Sequence, residues 1–114
     1  MIALALILCA SVYVHDGDTI RCDGERIRIF GLACAELHQP NGYAARDALR
    51  KMLSGKVVYI QRTGKFSYRR TVAHVLFGPE IGPPDRVTCA MIRQGWCSRW
   101  ASYDPKGEYR ECTR

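Results

Sequence analysis

The chain has no run of about twenty apolar residues, the length that spans a bilayer, so no membrane-crossing helix is expected. It has no Cys-x-x-Cys and no His-x-x-x-His spacing, which removes the common zinc frameworks. A phosphate-binding glycine loop, a serine-nucleophile motif, an internal repeat and a low-complexity tract are missing too. Those absences exclude P-loop hydrolysis, nucleophile-elbow chemistry and solenoid architectures. Acid is also scarce: 11 Asp+Glu stand against 17 Lys+Arg, a formal charge of +6. Such a balance favours polyanionic partners through phosphate neutralisation. With 114 residues there is room for one core and not for two.

Cysteine is plentiful. The six, at positions 9, 22, 34, 89, 97 and 112, form an even set in a small basic chain, which favours an oxidising compartment. Spacing alone selects no pairing, and a cytoplasmic protein with reduced thiols is the alternative. For Cys34 a disulfide, a small buried hydrophobe and a free thiol all stay open. Residues 1–10 are uncharged and almost wholly apolar. They resemble the apolar part of a secretory signal, but lack a preceding positive residue and a small-x-small cleavage site. The expected organisation is therefore an apolar segment over 1–8, an export-signal remnant or an added strand, followed by a domain over 9–114. Its first strand is expected from about Cys9. These features point to an exported protein, taken as a monomer.

The densest chemistry lies between Val14 and Glu36. Asp16-Gly17 and Asp23-Gly24 are tight-turn dipeptides that divide the stretch into three antiparallel strands. Across the second turn the register sets Ile20 opposite Ile27 and Thr19 opposite Arg28, with the isoleucines on the core face. Asp18 is then expected within about one ladder position of Arg28, and Glu36 returns toward the first turn after Gly31. Farther on, Ala45, Ala48, Leu49, Met52 and Leu53 recur at helical spacing between Asn41, a candidate N-cap, and Gly55, a candidate stop. Residues 57–61 and 71–77 read as strands joined by a basic loop around 66–70, and 78–84 as a rigid turn segment. A short helix is expected over 88–94, stopped by Gly95, and a polar tail opens a last helix from Pro105. Arg46, Arg50, Lys51 and Lys56 read as a solvated helix face, whereas Arg62, Lys65, Arg69 and Arg70 read as phosphate contacts. The whole is mainly β with helices (α+β), a five-stranded OB-type Greek-key barrel carrying two to three attached α-helices.

The strings Asp16-Gly17-Asp18-Thr19, then Ile27-Arg28-Ile29-Phe30-Gly31-Leu32 and Glu36, resemble the opening of the staphylococcal nuclease (thermonuclease-like) family, roughly DGDT followed by IRLxGIDxPE. Tyr68-Arg69-Arg70-Thr71-Val72-Ala73 is similar to its YGRxxA element, and the stretches 42–55 and 87–95 to its two helices. The resemblance covers about residues 9–104 in order. It implies the same barrel and a phosphodiesterase acting on single-stranded DNA or RNA through metal-activated water. Under it Glu36 is the general base, Arg28 and Arg70 offset charge on the phosphoryl group, and Asp18 and the carbonyl of Cys34 hold calcium. Lys65, Tyr68, Arg69 and Tyr103 then contact the nucleic acid, with Trp100 an alternative stacking residue. Three departures stand out: Ala33 where the family carries its second metal-binding aspartate, Ala35 for its proline, and Arg69 for its glycine. Loss of one calcium carboxylate weakens the metal site, so the alternative is a catalytically inactive nucleic-acid or protein-binding module of the same fold.

Overall fold

The computed structural model describes residues 5–78 and 86–114. Eight strands and two α-helices follow the order β1 (Leu6–Cys9), β2 (Val12–Asp16), β3 (Thr19–Cys22), β4 (Glu25–Ile29), β5 (Leu32–Cys34), α1 (Gly42–Leu53), β6 (Val58–Ser67), β7 (Arg70–Leu76), α2 (Val87–Arg93) and β8 (Cys97–Arg99). The expected turn segment over 78–84 falls almost wholly outside the described residues.

Six strands form one sheet in the order β1-β6-β7-β4-β3-β2, and β5 pairs separately with β8. The two edge strands of the large sheet are successive pieces of chain. β1 pairs antiparallel with β6 and β2 with β3, the change of partner falling at Ala10-Ser11. The Asp23 carboxylate fixes that bend by accepting the N–H groups of Ala10, at 3.2 Å, and Ser11, at 2.7 Å. The sheet thus returns on itself through a bent first strand, which leaves an OB-like barrel of five strand positions with helices attached. The first strand begins at Leu6, earlier than the expected Cys9, because Leu6 pairs with Gln61 and Ile7 with Ile60.

The meander follows the register read from the sequence, with Thr19 opposite Arg28 and Ile20 opposite Ile27. Asp23 and Gly24 take φ of 51° and 86°, the paired positive angles that a two-residue hairpin turn requires. Gly17 is needed for a different reason. A Cβ there would lie 2.9 Å from Cys34 Cβ, so the glycine lets the first turn press against β5. Ile20, Ile27, Ile29, Leu32, Leu49, Ile60, Val75 and Met91 fill the interior.

Elsewhere several expectations are corrected. The basic stretch is not a loop: β6 runs to Ser67, and the turn is only Tyr68-Arg69, with φ of 50° and 66°. A bulge interrupts the ladder between Arg62 and Phe66, and Lys65 within it is exposed. Asn41 occupies the N-cap position and its carbonyl accepts the Ala45 N–H at 2.9 Å, but it makes no side-chain cap, because its backbone is left-handed (φ 68°) where a capping residue is extended. No helix follows Pro105. The tail folds into turns, since the buried Asp104 carboxylate accepts the N–H groups of Glu108 and Tyr109 at 2.8 and 2.9 Å and draws Tyr109 into the core. Three disulfides, Cys9–Cys22, Cys34–Cys97 and Cys89–Cys112, use all six cysteines. No described helix is long and apolar enough to cross a membrane.

Candidate active site

The β2–β3 turn, the outer side of β4 and the start of β7 converge on one spot. In the turn, Asp16 Oδ1 accepts the Asp18 N–H at 3.1 Å, which fixes the position of the second aspartate. Asp18 Oδ1 accepts the Thr19 hydroxyl at 3.2 Å, while Oδ2 accepts the Cys34 N–H at 3.3 Å and lies 3.5 Å from Arg28 Nη2. Arg70 Nη1 donates to Thr19 Oγ1 at 2.9 Å, and its Nε to the Ser67 carbonyl at 3.1 Å. The Thr19 hydroxyl therefore ties Asp18 to Arg70. Arg28 is buried, donates Nη1 to the Ile29 carbonyl at 3.0 Å, and is covered by the Trp100 ring at 5.1 Å.

The electrostatics follow from this crowding. Burial pushes the Asp18 carboxyl up to about 6, with Arg28 opposing the shift and Asp16 adding to it. Burial lowers the Arg28 guanidinium, Asp18 holds it up, and the like charge of Arg70 lowers it further. Two cations that repel each other stand at the Asp18–Thr19 pair, Arg28 on the carboxylate and Arg70 on the hydroxyl, an arrangement that an entering anion relieves.

Glu36 sits apart from that cluster, on the rim of the same depression. The hollow, of about 330 Å³, is lined by Asp16, Thr19, Arg21, Arg26, Glu36 and Arg70, with Tyr68 at its edge. Gln39 holds the Glu36 backbone at both ends: its Oε1 accepts the Glu36 N–H at 2.8 Å, and its own N–H donates to the Glu36 carbonyl at 2.8 Å. The carboxylate itself is exposed, with His38 Nδ1 at 3.7 Å. Arg28 does not line this hollow. It faces a second one of about 220 Å³, bounded by Lys65, Phe66, Trp100 and Tyr103, where the Trp100 and Tyr103 rings lie 4.1 Å apart. A larger hollow of about 600 Å³, by Met52, Phe77 and Trp96, has none of these residues in its wall.

Of the residues singled out from sequence, Asp18 and Arg28 meet directly, Arg70 joins them through the Thr19 hydroxyl, and Glu36 shares a hollow with Arg70. Lys65 and Tyr103 join the aromatic hollow, whereas Tyr68 and Arg69 stand exposed on the hairpin turn. Arg62 is corrected: it grips Glu25 through Nε, at 3.1 Å, and Nη2, and is not free for phosphate. Cys34 is in a disulfide with Cys97, which leaves only its backbone for ligation. Thr19 and Asp16 stand in the DGDT string, but the string by itself gives neither a role. Gln39 left no sequence signal, since its part is a side-chain contact to an irregular loop.

A calcium ion takes six to eight oxygens, more than this turn offers. Among the described residues Asp16 and Asp18 are the carboxylates at the turn, both oxygens of Asp18 are already engaged, and the neighbouring β5 position, paired with Ser98, is Ala33. Among the described residues no group of three His, Cys, Asp or Glu is placed to hold a metal. The described residues alone do not complete a calcium site.

The family model for the staphylococcal nuclease homologue matches residues 26–114. The chain belongs to the staphylococcal nuclease family. The match includes Arg28, Glu36 and Arg70, and the Asp16–Thr19 turn precedes it. A curated relative, an "Uncharacterized endonuclease" of Haemophilus influenzae, is 28% identical over 104 residues, 85% of this chain and 56% of that protein. The chain thus spans about half the length of that relative. Within the matched stretch Arg69 takes φ of 66°, the region glycine enters freely.

Proposed function

We propose that this protein is a nuclease-like phosphodiesterase that hydrolyses single-stranded DNA or RNA. The observation that carries the reading is the anchoring of Arg28 on Asp18 and of Arg70 on Thr19, with the exposed Glu36 carboxylate on the hollow that Thr19 and Arg70 line. Glu36 takes a proton from water as the water oxygen bonds to phosphorus and the bond to the leaving oxygen breaks. Arg28 and Arg70 meet the charge that builds on the phosphoryl oxygens, and they are already oriented before the substrate arrives. The Trp100–Tyr103 pair with Phe66 offers apolar faces to a base, and Lys65 a cation to a neighbouring phosphate. Tyr68 and Arg69 extend that surface along the turn.

Calcium is the cation that family membership brings into the reading. Asp18 and the Cys34 carbonyl, with Asp16, are the groups left for it, and such a site binds toward the millimolar end of the biological range. Three disulfides support an exported protein working in an oxidising compartment.

A second reading, a binding module without hydrolysis, is favoured by Ala33, which the resemblance to the family pattern aligns with an acidic ligand. The test is incubation with single-stranded DNA and RNA across a calcium and manganese series, alongside Glu36→Gln. Cleavage that requires Glu36 supports the enzyme. Salt-sensitive binding with no cleavage at any metal level overturns it in favour of the module.

A further inference from the structure

The outer face of the β3–β4 ladder carries a feature that the chemistry above does not use. Arg21 and Arg26 lie directly opposite each other, two residues along their strands from the Thr19–Arg28 pair and on the same face. Like charges directly opposed across a ladder destabilise it, and both side chains are exposed. Among the described residues neither has a carboxylate partner, although Glu25 is next to Arg26 in sequence and bonds to Arg62 and Thr71 instead. Both arginines line the depression that holds Glu36 and Arg70.

We propose that Arg21 and Arg26 form a second phosphate subsite, which grips the phosphate next to the one held by Arg28 and Arg70 on a single strand lying across β3 and β4. This rests on the nuclease reading and extends it from one phosphodiester to a run of backbone. Three physical points carry it. Two residues along a strand is a step of about 7 Å, comparable with the separation of successive phosphates in an extended single strand. A polyanion relieves the repulsion of the opposed guanidiniums, and each guanidinium presents a fork that matches phosphate. The second and third strand positions of an OB-like barrel, with the adjoining turns, form a natural face for an extended oligonucleotide.

The test compares a dinucleoside monophosphate, with its single phosphate, and a thymidine pentanucleotide. Both are measured on wild type, Arg21→Ala, Arg26→Ala and the double variant. Binding of the pentanucleotide is also measured in a Glu36→Gln background across a salt series. In the double variant KM for the pentanucleotide rises on the order of tenfold, the change for the dinucleoside monophosphate is the smaller, and kcat moves less than KM. The slope of log K against log salt becomes shallower by about 0.7 for each phosphate no longer neutralised, and Arg21→Lys recovers part of it. Equal losses on both substrates, or an unchanged slope, overturn the subsite while leaving the nuclease reading intact. Failure of the wild type to bind or cleave either substrate overturns both.

Discussion

Arg69 and Thr19 show how much the site depends on single residues. Arg69 sits at φ 66° beside Tyr68 at φ 50°, so two residues with a Cβ occupy a turn that favours glycine. Arg69→Gly is expected to raise stability by up to about 1 kcal/mol, read as a higher urea midpoint with an unchanged slope. A midpoint that falls would mean the Arg69 side chain has a stabilising contact. Thr19 has the opposite character, for its buried hydroxyl donates to Asp18 and accepts from Arg70. Thr19→Val keeps the shape and removes both bonds, freeing Arg70 to move. Its kcat/KM is expected to fall by about tenfold or more, while Thr19→Ser stays within about twofold. Equal activity in the valine and serine variants would show that the hydroxyl does not position Arg70.

At the level of elements, the joint between β5 and β8 is the most exposed to damage. The ladder has only three pairs, Leu32–Arg99, Ala33–Ser98 and Cys34–Cys97, and two-stranded ladders of that size are marginal alone. Its crosslink joins the Cys34 N–H, which bonds Asp18, to the segment that places Trp100 over Arg28. The other two disulfides are buried, whereas Cys34 and Cys97 are only partly so. Cys34→Ala with Cys97→Ala is expected to cost about 2–4 kcal/mol in denaturant unfolding and to shift the tryptophan emission. Removing Cys9–Cys22 instead should lower stability and leave that emission in place, because neither cysteine lines a hollow that holds a tryptophan. Identical spectra for the two double variants would sever the link between the crosslink and the aromatic hollow.

For the molecule as a whole, the tail decides how stability responds to acid. His74, Arg86 and Tyr109 meet in the interior, with Tyr109 Oη 2.5 Å from His74 Nδ1 and Glu108 at the edge, 3.8 Å from both His74 and Arg86. Burial, then the charge of Arg86, lowers His74 from 6.5 to about 4, while Asp104 opposes the shift. Between those values the unfolded chain takes up a proton that the folded chain refuses. This contribution is complete above pH 6.5 and is lost as pH falls toward about 4. Asp18, raised from 3.8 to about 6, runs the other way and loses its contribution as pH rises through that range. The His74 share is therefore read as a difference. The stability gap between wild type and His74→Gln should narrow by about 2 kcal/mol from pH 7 to pH 4.5 in urea titrations. A gap constant with pH would mean that the ring titrates alike in both states.

Local information settled the meander, both helices and the family. Turn dipeptides fix hairpin register over a few residues, and helical spacing is a pattern within one element, so Thr19 against Arg28, α1 and α2 could all be read along the chain. The Asp18, Arg28, Glu36 and Arg70 candidates were legible for the same reason, since each lies in a short string whose order is preserved. What needed the tertiary structure were contacts between segments distant in sequence: the three disulfide pairings, the β5–β8 ladder, Arg62 drawn to Glu25, and Asp104 with Tyr109 pulled beneath the sheet. A polar tail reads as solvent-facing because composition records polarity and not partners. Only the folded chain brings a buried carboxylate to the N–H groups that make burial tolerable, and only there do Arg21 and Arg26 stand beside the candidate site.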